Sequence, residues 1–376
     1  MAFLVAEDGL GQLIAALQAD GRTVIGPQVR DGVITHDVID TADDLPRGWT
    51  EEQDGGRYRL EKTQTSERFA YSSPSTSWKR FLYPERTLLV RATRTGGKIA
   101  VDTPEPDVPS VAFFGIRSCD LAALGILDRV FLDPGATDPT YAARRPDAFI
   151  VAVGCHNPGN TCFCASMDTG PSPTSGFDLA ISELFDGADV RYLIDAGSDR
   201  GAAIIASLSV QEPTDADRSL AAVRHEHAVA MMGRTLRSDD VSLAALDADH
   251  PRWDDVAERC LACGNCTMVC PTCFCSTTEE STDLTGTETE RWRVWDSCFS
   301  LDFTHMHGGS ARTSTKSRYR QWLLHKLVTW HDQFDSSGCV GCGRCITWCP
   351  VGIDLTAEIA ALAVPKGSEA DGEGAT

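Results

Sequence analysis

Two runs of four cysteines near the C-terminus carry the clearest chemical signal in this sequence. Each run has the spacing C-x2-C-x2-C-x3-C followed by proline, and the two prolines are Pro271 and Pro350. The eight cysteines are Cys260, Cys263, Cys266, Cys270, Cys339, Cys342, Cys345 and Cys349. Two-residue spacers let one loop wrap three corners of an iron–sulfur cubane. The spacing therefore predicts two [4Fe–4S] clusters, and with them electron transfer.

In this pattern the fourth cysteine of each run ligates the cluster of the other run. The first cluster is therefore assigned to Cys260, Cys263, Cys266 and Cys349, and the second to Cys339, Cys342, Cys345 and Cys270. The alternative is a pair of structural zinc sites, which also use C-x2-C steps. A fourth cysteine and a terminal proline, present in both runs, favour the iron–sulfur interpretation.

Seven of the fifteen cysteines lie outside these runs. Four of them, Cys119, Cys155, Cys162 and Cys164, precede the ferredoxin motifs and could hold a third iron–sulfur cluster; the alternative is buried, unligated cysteine. The other three are Cys273, Cys275 and Cys298, for which reduced structural thiols and a redox pair both stay open. The tetrapeptide Thr-Cys-Phe-Cys occurs twice, at 161–164 and 272–275.

A strand–helix–strand pattern positions the first of these thiols. Ser110–Ile116 and Asp147–Val153 are short apolar runs typical of buried parallel strands, and Asp120–Phe131 between them has helical periodicity. The order predicts a βαβ unit. Cys119 and Cys155 would then lie beyond the carboxyl ends of adjacent strands, where open α/β sheets bind their ligands.

The remaining periodicity predicts further elements. Helices are expected at Leu10–Leu17, Phe177–Phe185, Ser219–Met232 and Arg312–Phe334, and short strands at Thr23–Ile25 and Val33–Thr35. Loops are expected at Asp40–Arg57 and Ser276–Glu290, and an acidic linker at Asp239–His250. Five basic residues of the last helix could stabilise anionic clusters or face solvent: Arg312, Lys316, Arg318, Arg320 and Lys326.

The predicted fold class is α+β with several domains, an N-terminal α/β domain being followed by a mostly helical dicluster ferredoxin domain. The boundaries are an α/β region at 1–105, an α/β domain with the four additional cysteines at 106–245, and the ferredoxin domain at 251–360. The Gly- and acid-rich end, 361–376, is predicted to be disordered.

Composition narrows the class of function. With 376 residues, 42% hydrophobic and 23% charged, the chain is expected to be globular. It has neither an apolar run of about 20 residues nor a basic leader, which predicts a cytoplasmic protein without a membrane partner. A net charge of −20 disfavours nucleic acid. No nucleotide-binding glycine motif and no nucleophile–base set stand out, so a non-catalytic relay subunit is expected.

Several longer strings resemble the beta subunit of cytosolic sulfhydrogenases, the NAD(P)-linked [NiFe] hydrogenases. They also resemble the related A subunit of anaerobic sulfite reductase. The strings are Gly115-Ile-Arg-Ser-Cys-Asp-Leu121, Thr161-Cys-Phe-Cys-Ala-Ser-Met-Asp-Thr-Gly-Pro171, Gly176-Phe-Asp-Leu179, Cys260-Leu-Ala-Cys-Gly-Asn-Cys266, Cys270-Pro-Thr-Cys-Phe-Cys275, Trp295-Asp-Ser-Cys298 and Gly338-Cys-Val-Gly-Cys-Gly-Arg-Cys345. Ser118 departs from the family pattern, which usually has proline there.

The resemblance implies a heteromeric enzyme. A flavin subunit would exchange hydride with NAD(P)H, and this chain would pass single electrons to or from the small and large subunits of a [NiFe] hydrogenase. In the sulfite-reductase alternative the electrons would end at a siroheme subunit. A scaffold protein with structural metal and an independent ferredoxin are the other interpretations.

Overall fold

The computed structural model describes residues 2–187 and 189–364 of the chain. Its strands are β1 Ala2–Val5, β2 Thr23–Arg30, β3 Val33–Val38, β4 Trp49–Asp54, β5 Arg57–Lys62, β6 Arg86–Thr95, β7 Lys98–Asp102, β8 Val111–Arg117, β9 Phe149–Val153, β10 Leu179–Phe185, β11 Val190–Ala196, β12 Ser276–Thr282, β13 Glu288–Trp295, β14 His305–Met306 and β15 Gly309–Ser310. Its α-helices are α1 Gly9–Ala19, α2 Lys79–Leu82, α3 Ser118–Phe131, α4 Pro139–Arg144, α5 Asp199–Ile205, α6 Asp215–Ala230, α7 Ser238–Leu246, α8 Arg252–Arg259, α9 Asn265–Met268, α10 Thr315–Leu324, α11 Trp330–Phe334, α12 Arg344–Thr347 and α13 Leu355–Leu362.

The largest sheet has seven strands in the order β1-β11-β10-β9-β8-β2-β3. Its centre is parallel, because β9 pairs in parallel with both β10 and β8, and β8 with β2. The flanking pairs are antiparallel. Helix α3 joins β8 to β9, which confirms the predicted βαβ unit. The sheet contains strands from both sides of the predicted boundary at residue 105, so one hydrophobic core serves both segments.

A second sheet contains strands from both the N-terminal and the C-terminal parts of the chain. Its order is β12-β13-β6-β7, and β6 of the N-terminal part pairs with β13 of the C-terminal part. The prediction of a loop at Ser276–Glu290 is therefore wrong: this segment contains β12 and the start of β13. Nearly all of β12 is exposed, which explains why its side chains are polar, mostly Thr and Glu. Backbone pairing with β13 holds the strand in place.

Three other sequence-based expectations need correction. Phe177–Phe185 is not helical but contains β10, whose buried Leu179, Ile181 and Glu183 alternate along the strand. The expected linker at Asp239–His250 contains most of α7, and the expected loop at Asp40–Arg57 contains β4, which pairs with β5. The helices predicted at Leu10–Leu17 and Ser219–Met232 are confirmed as α1 and α6.

Helices surround the cysteine runs in the C-terminal part, which confirms the predicted α+β class. The helix predicted over Arg312–Phe334 begins at Thr315, where the Ser314 hydroxyl caps it by accepting from the Ser317 N–H at 3.1 Å, and continues through a π-helical turn at His325–Thr329 into α11. Among the described residues no helix has the length and apolarity needed to cross a membrane. Residues 365–376 of the predicted disordered tail lie outside the described residues, and its first residues belong to α13.

Candidate iron–sulfur centres

The first predicted ligand set comes together around one cavity. Its members are Cys260, Cys263, Cys266 and Cys349, and all four line this cavity. The loop between α8 and α9 bends around it because Ala262 and Gly264 have φ of 51° and 74°. Phe299, Tyr319 and Ile353 complete the apolar wall. Burial raises the pKa of Cys266, and the thiolates of the other three cysteines raise it further.

The second predicted set also converges, and it includes the cysteine contributed by the other run. Its members are Cys339, Cys342, Cys345 and Cys270. Burial raises the pKa of the first three thiols, and the Cys270 thiolate lies close enough to raise each of them further. The Gly341 N–H points at the Cys339 sulfur at 3.5 Å. The structure thus brings Cys270 to the second run and Cys349 to the first.

The spacing of these sulfurs fits a cluster better than a single ion. Among the described residues, Glu67, His156 and Glu183 form the one set of three metal-ligating side chains whose ligand atoms all lie within 4.8 Å of one another. A tetrahedral zinc ion with Zn–S bonds of about 2.3 Å would hold its sulfurs only about 3.8 Å apart. No three sulfurs of the cysteine sets meet the 4.8 Å limit among the described residues, which disfavours a single tetrahedral ion.

Two buried lysines lie beside the second set. The Lys326 ammonium donates to the Cys270 sulfur at 3.2 Å and to the Thr272 hydroxyl at 3.0 Å. Burial alone would lower the pKa of Lys326, but the thiolates of Cys270 and Cys273 hold it well above its ordinary value. Lys79, which the sequence did not single out, donates to the carbonyls of Cys270 and Cys273 at 3.3 and 2.6 Å.

The other basic residues of the predicted helix serve elsewhere. Lys316 pairs with Asp254 at 2.8 Å, and Arg320 donates to the Ala248 carbonyl at 2.6 Å. Among the described residues, Lys326 is the one of these five that contacts a predicted cluster ligand, while the Arg318 charge opposes the burial that raises the pKa of Cys260.

The four cysteines of the α/β part meet at the carboxyl end of the central sheet. Cys119 lies in the first turn of α3 and Cys155 follows β9, so their predicted placement beyond adjacent parallel strands is confirmed. Burial raises the pKa of Cys164 to about 12, and the thiolate of Cys155 adds to the shift. Burial also raises the pKa values of Cys162 and Cys119; the thiolates of Cys155 and Cys164 add to the shift at Cys162, and Asp120 and the thiolate of Cys164 add to the shift at Cys119. Ser118, the departure from the family pattern, begins α3 and donates to the Ser172 carbonyl at 2.9 Å.

The first Thr-Cys-Phe-Cys segment packs directly on the second cysteine run. The Phe163 N–H donates to the Gly341 carbonyl at 2.8 Å, and the Cys162 thiol points at the Cys342 carbonyl at 3.8 Å. The contact requires glycine, since a Cβ on Gly341 would lie 2.6 Å from the Phe163 oxygen and its φ is +63°. Cys162 and Cys342 therefore belong to adjoining thiol sets.

A buried ion pair holds the two parts together. Arg344, inside the second cysteine run, donates to both carboxylate oxygens of Asp120 at 2.8 and 2.7 Å, and both side chains are only 1% exposed. The same guanidinium donates to the Pro74 carbonyl at 2.5 Å. Sequence reasoning did not identify this pair, although each residue directly adjoins a predicted ligand, Cys119 or Cys345.

A carboxylate–histidine group lies next to Cys155. His156 Nε2 is 3.2 Å from Glu67 and 3.5 Å from Glu183. Burial raises the pKa of Glu183 to about 7 and lowers that of His156 to about 4. Arg224 already pairs with Glu67 at 2.5 Å. A positively charged side chain of the protein itself therefore already lies where these carboxylates could otherwise bind a metal cation.

Comparison with known proteins places these observations in a family. Residues 259–353 match the family described as 4Fe-4S dicluster domain, which confirms the predicted two-cluster ferredoxin domain. The chain is 31% identical over 303 residues to sulfhydrogenase 2 subunit beta of Pyrococcus furiosus, across 79% of this chain and 86% of that protein.

Proposed function

Because the chain belongs to the sulfhydrogenase beta-subunit family, we propose that it relays single electrons inside a [NiFe] hydrogenase complex. The proposed partners are a flavin subunit that exchanges hydride with NAD(P)H and the small and large hydrogenase subunits. The observation that carries the proposal is the likeness to the Pyrococcus furiosus subunit over 303 residues, which extends far beyond the dicluster domain itself.

The chain's own residues supply ligands and charge. Bound [4Fe–4S] clusters store and release one electron each. We assign one to Cys260, Cys263, Cys266 and Cys349, and the other to Cys339, Cys342, Cys345 and Cys270. An added electron makes a thiolate-ligated cluster more negative, and the buried Lys326 ammonium at 3.2 Å from Cys270 Sγ favours that state.

We further propose that Cys119, Cys155, Cys162 and Cys164 hold a third iron–sulfur cluster. Support comes from the convergence of all four thiols at the carboxyl end of the sheet and from the contact of Cys162 with Cys342. The buried Asp120–Arg344 pair fixes this end of the sheet against the second cysteine run. A cluster held there would adjoin the second set and extend the relay into the α/β part.

The ligand assignment is tested by Cys270→Ala. We expect the protein to lose about four iron atoms per chain, together with the spectroscopic signal of the cluster held by Cys339, Cys342 and Cys345. Cys260→Ala is the matched control and should remove the other signal. Loss of the signal assigned to the first set in Cys270→Ala would contradict the crossed assignment.

The function is tested by anaerobic purification of the tagged full-length chain from its native host. Copurified nickel and flavin, with hydrogen-dependent dye reduction, are expected. Siroheme without nickel would instead identify a sulfite reductase. We propose that the complex works in the cytosol, because that compartment keeps cysteines reduced and therefore able to ligate iron–sulfur clusters.

A further inference from the structure

Three thiols that neither the dicluster pattern nor the proposed third cluster uses meet at one cavity. Cys273 and Cys275 follow the first cysteine run, and Cys298 follows β13; all three line a cavity of about 500 Å³. The Asp296 N–H donates to the Cys275 carbonyl at 2.9 Å, which joins the two loops. Residues far apart in the chain thus present three soft ligands to one space.

The cavity lies between the two ferredoxin ligand sets. Lys326 contacts both Cys270 of the second set, at 3.2 Å, and Cys273, at 3.7 Å. On the other side Trp322 lines both this cavity and the cavity of the first set. A metal centre here would therefore adjoin both clusters.

The surroundings favour an anionic occupant. Lys79 and Lys326 are 3% and 6% exposed, and in the described part of the chain their ammonium groups donate to carbonyls, a hydroxyl and sulfurs rather than to a carboxylate. Buried ammonium groups require an opposite charge nearby. The Cys270 thiolate supplies one, and thiolates at Cys273 and Cys275 would supply more.

We propose that Cys273, Cys275 and Cys298 bind an additional iron–sulfur cluster through three thiolates. The three sulfurs do not all lie within 4.8 Å of one another, which is wider than a single tetrahedral zinc ion holds its ligands. A cubane with three cysteine ligands keeps one iron whose fourth ligand is not cysteine. The cavity, which His325 and Gln321 also line, leaves room for that position.

The test is iron analysis of the full-length protein with Cys275 and Cys298 changed to serine. We expect the double variant to lose about four iron atoms per chain while the signals of the two ferredoxin clusters persist. Cys273 is left unchanged because it adjoins Cys270. Thr278→Ala, at an exposed position of the same hairpin, is the control and should keep all its iron. An unchanged iron content, or the loss of zinc instead, would overturn the proposal.

A measurement on the unmodified protein serves if the double variant does not fold. Mössbauer spectra of the ⁵⁷Fe-labelled wild type should contain an iron site without complete sulfur coordination, amounting to about a quarter of one cluster. Spectra in which every iron has four sulfur ligands would contradict a [4Fe–4S] cluster held by three thiolates.

Discussion

The two Thr-Cys-Phe-Cys segments contact the same cysteine run and do so with different chemistry. The segment at 161–164 packs on Gly341 and Gly343, beside an ion pair whose charges cancel. The segment at 272–275 packs on Gly338, beside two buried ammonium groups. Two further thiols, those of Cys119 and Cys155 at the strand ends, lie near the first segment. One further thiol, that of Cys298, lines the cavity beside the second segment.

The two regions differ in the net charge that the protein places around the cysteines of the two Thr-Cys-Phe-Cys segments. Near the first segment Asp120 neutralises Arg344, which leaves the buried Arg117 guanidinium, whose hydrogen bonds go to backbone carbonyls, as the charge acting on Cys155. Near the second, the ammonium groups of Lys79 and Lys326 donate to carbonyls, a hydroxyl and sulfurs rather than to a carboxylate in the described part of the chain, which favours negative occupants. We infer that the second region stabilises reduced clusters more strongly than the first.

Removing one charge from the first region should produce the largest loss of stability. Asp120→Ala leaves the Arg344 guanidinium buried without its counter-charge, and we expect the free energy of unfolding to fall by about 3–5 kcal/mol. Urea titration of the anaerobic protein measures this. Glu52→Ala, which breaks the exposed pair with Arg57, should cost less than about 1 kcal/mol. Equal effects of the two substitutions would contradict the role of burial.

Glycine substitutions compare the two packing contacts. A Cβ at Gly343 would lie 2.5 Å from the Thr161 backbone oxygen with φ at +75°, whereas at Gly338 it would lie 2.9 Å from the Trp330 ring. Gly343→Ala should therefore destabilise more than Gly338→Ala. Gly286→Ala, with φ at +67° and open space, isolates the conformational cost of roughly 1–2 kcal/mol. Thermal unfolding gives the order, and a larger loss for Gly338→Ala would reverse the comparison.

The two threonines provide a smaller, isosteric comparison. The Thr161 hydroxyl bonds with Thr347 at 2.7 Å, and the Thr272 hydroxyl donates to the Gly338 carbonyl at 2.7 Å while accepting from Lys326. Replacement by valine should cost about 1–3 kcal/mol at each site. We expect the greater loss for Thr272→Val, because the affected partner is charged. Urea midpoints of the two variants measured side by side decide this.

A buried carboxyl near Cys155 makes the first region sensitive to pH. Burial raises the pKa of Glu183 from 4.5 to about 7, so between these values the folded state retains a proton that the unfolded state has released. The stabilisation from this group is complete below pH 4.5 and is lost as the pH rises to 7. Glu183→Gln should therefore gain stability relative to wild type over this window, by at most about 1.4 kcal/mol per pH unit. A difference independent of pH would refute the raised pKa.

Sequence reasoning succeeded where ligand spacing or local periodicity decides the structure. The two-cluster ferredoxin domain and the βαβ unit are of this kind. It failed for β10, because the buried Glu183 hides the alternation of the strand, and for the β12–β13 hairpin, because β13 pairs with β6, a strand nearly 200 residues earlier in the chain. Lys79 and Asp120 were missed for the same reason: their partners are remote in sequence, and only folding brings them together.

The most direct test of the relay is low-temperature electron paramagnetic resonance of the native complex under hydrogen, without any other reductant. We predict that signals of this chain's reduced [4Fe–4S] clusters appear, and that the Cys270→Ala complex lacks the signal assigned to the second set. Clusters that stay oxidised under hydrogen, in a complex whose hydrogenase subunits still reduce a dye, would contradict the relay function.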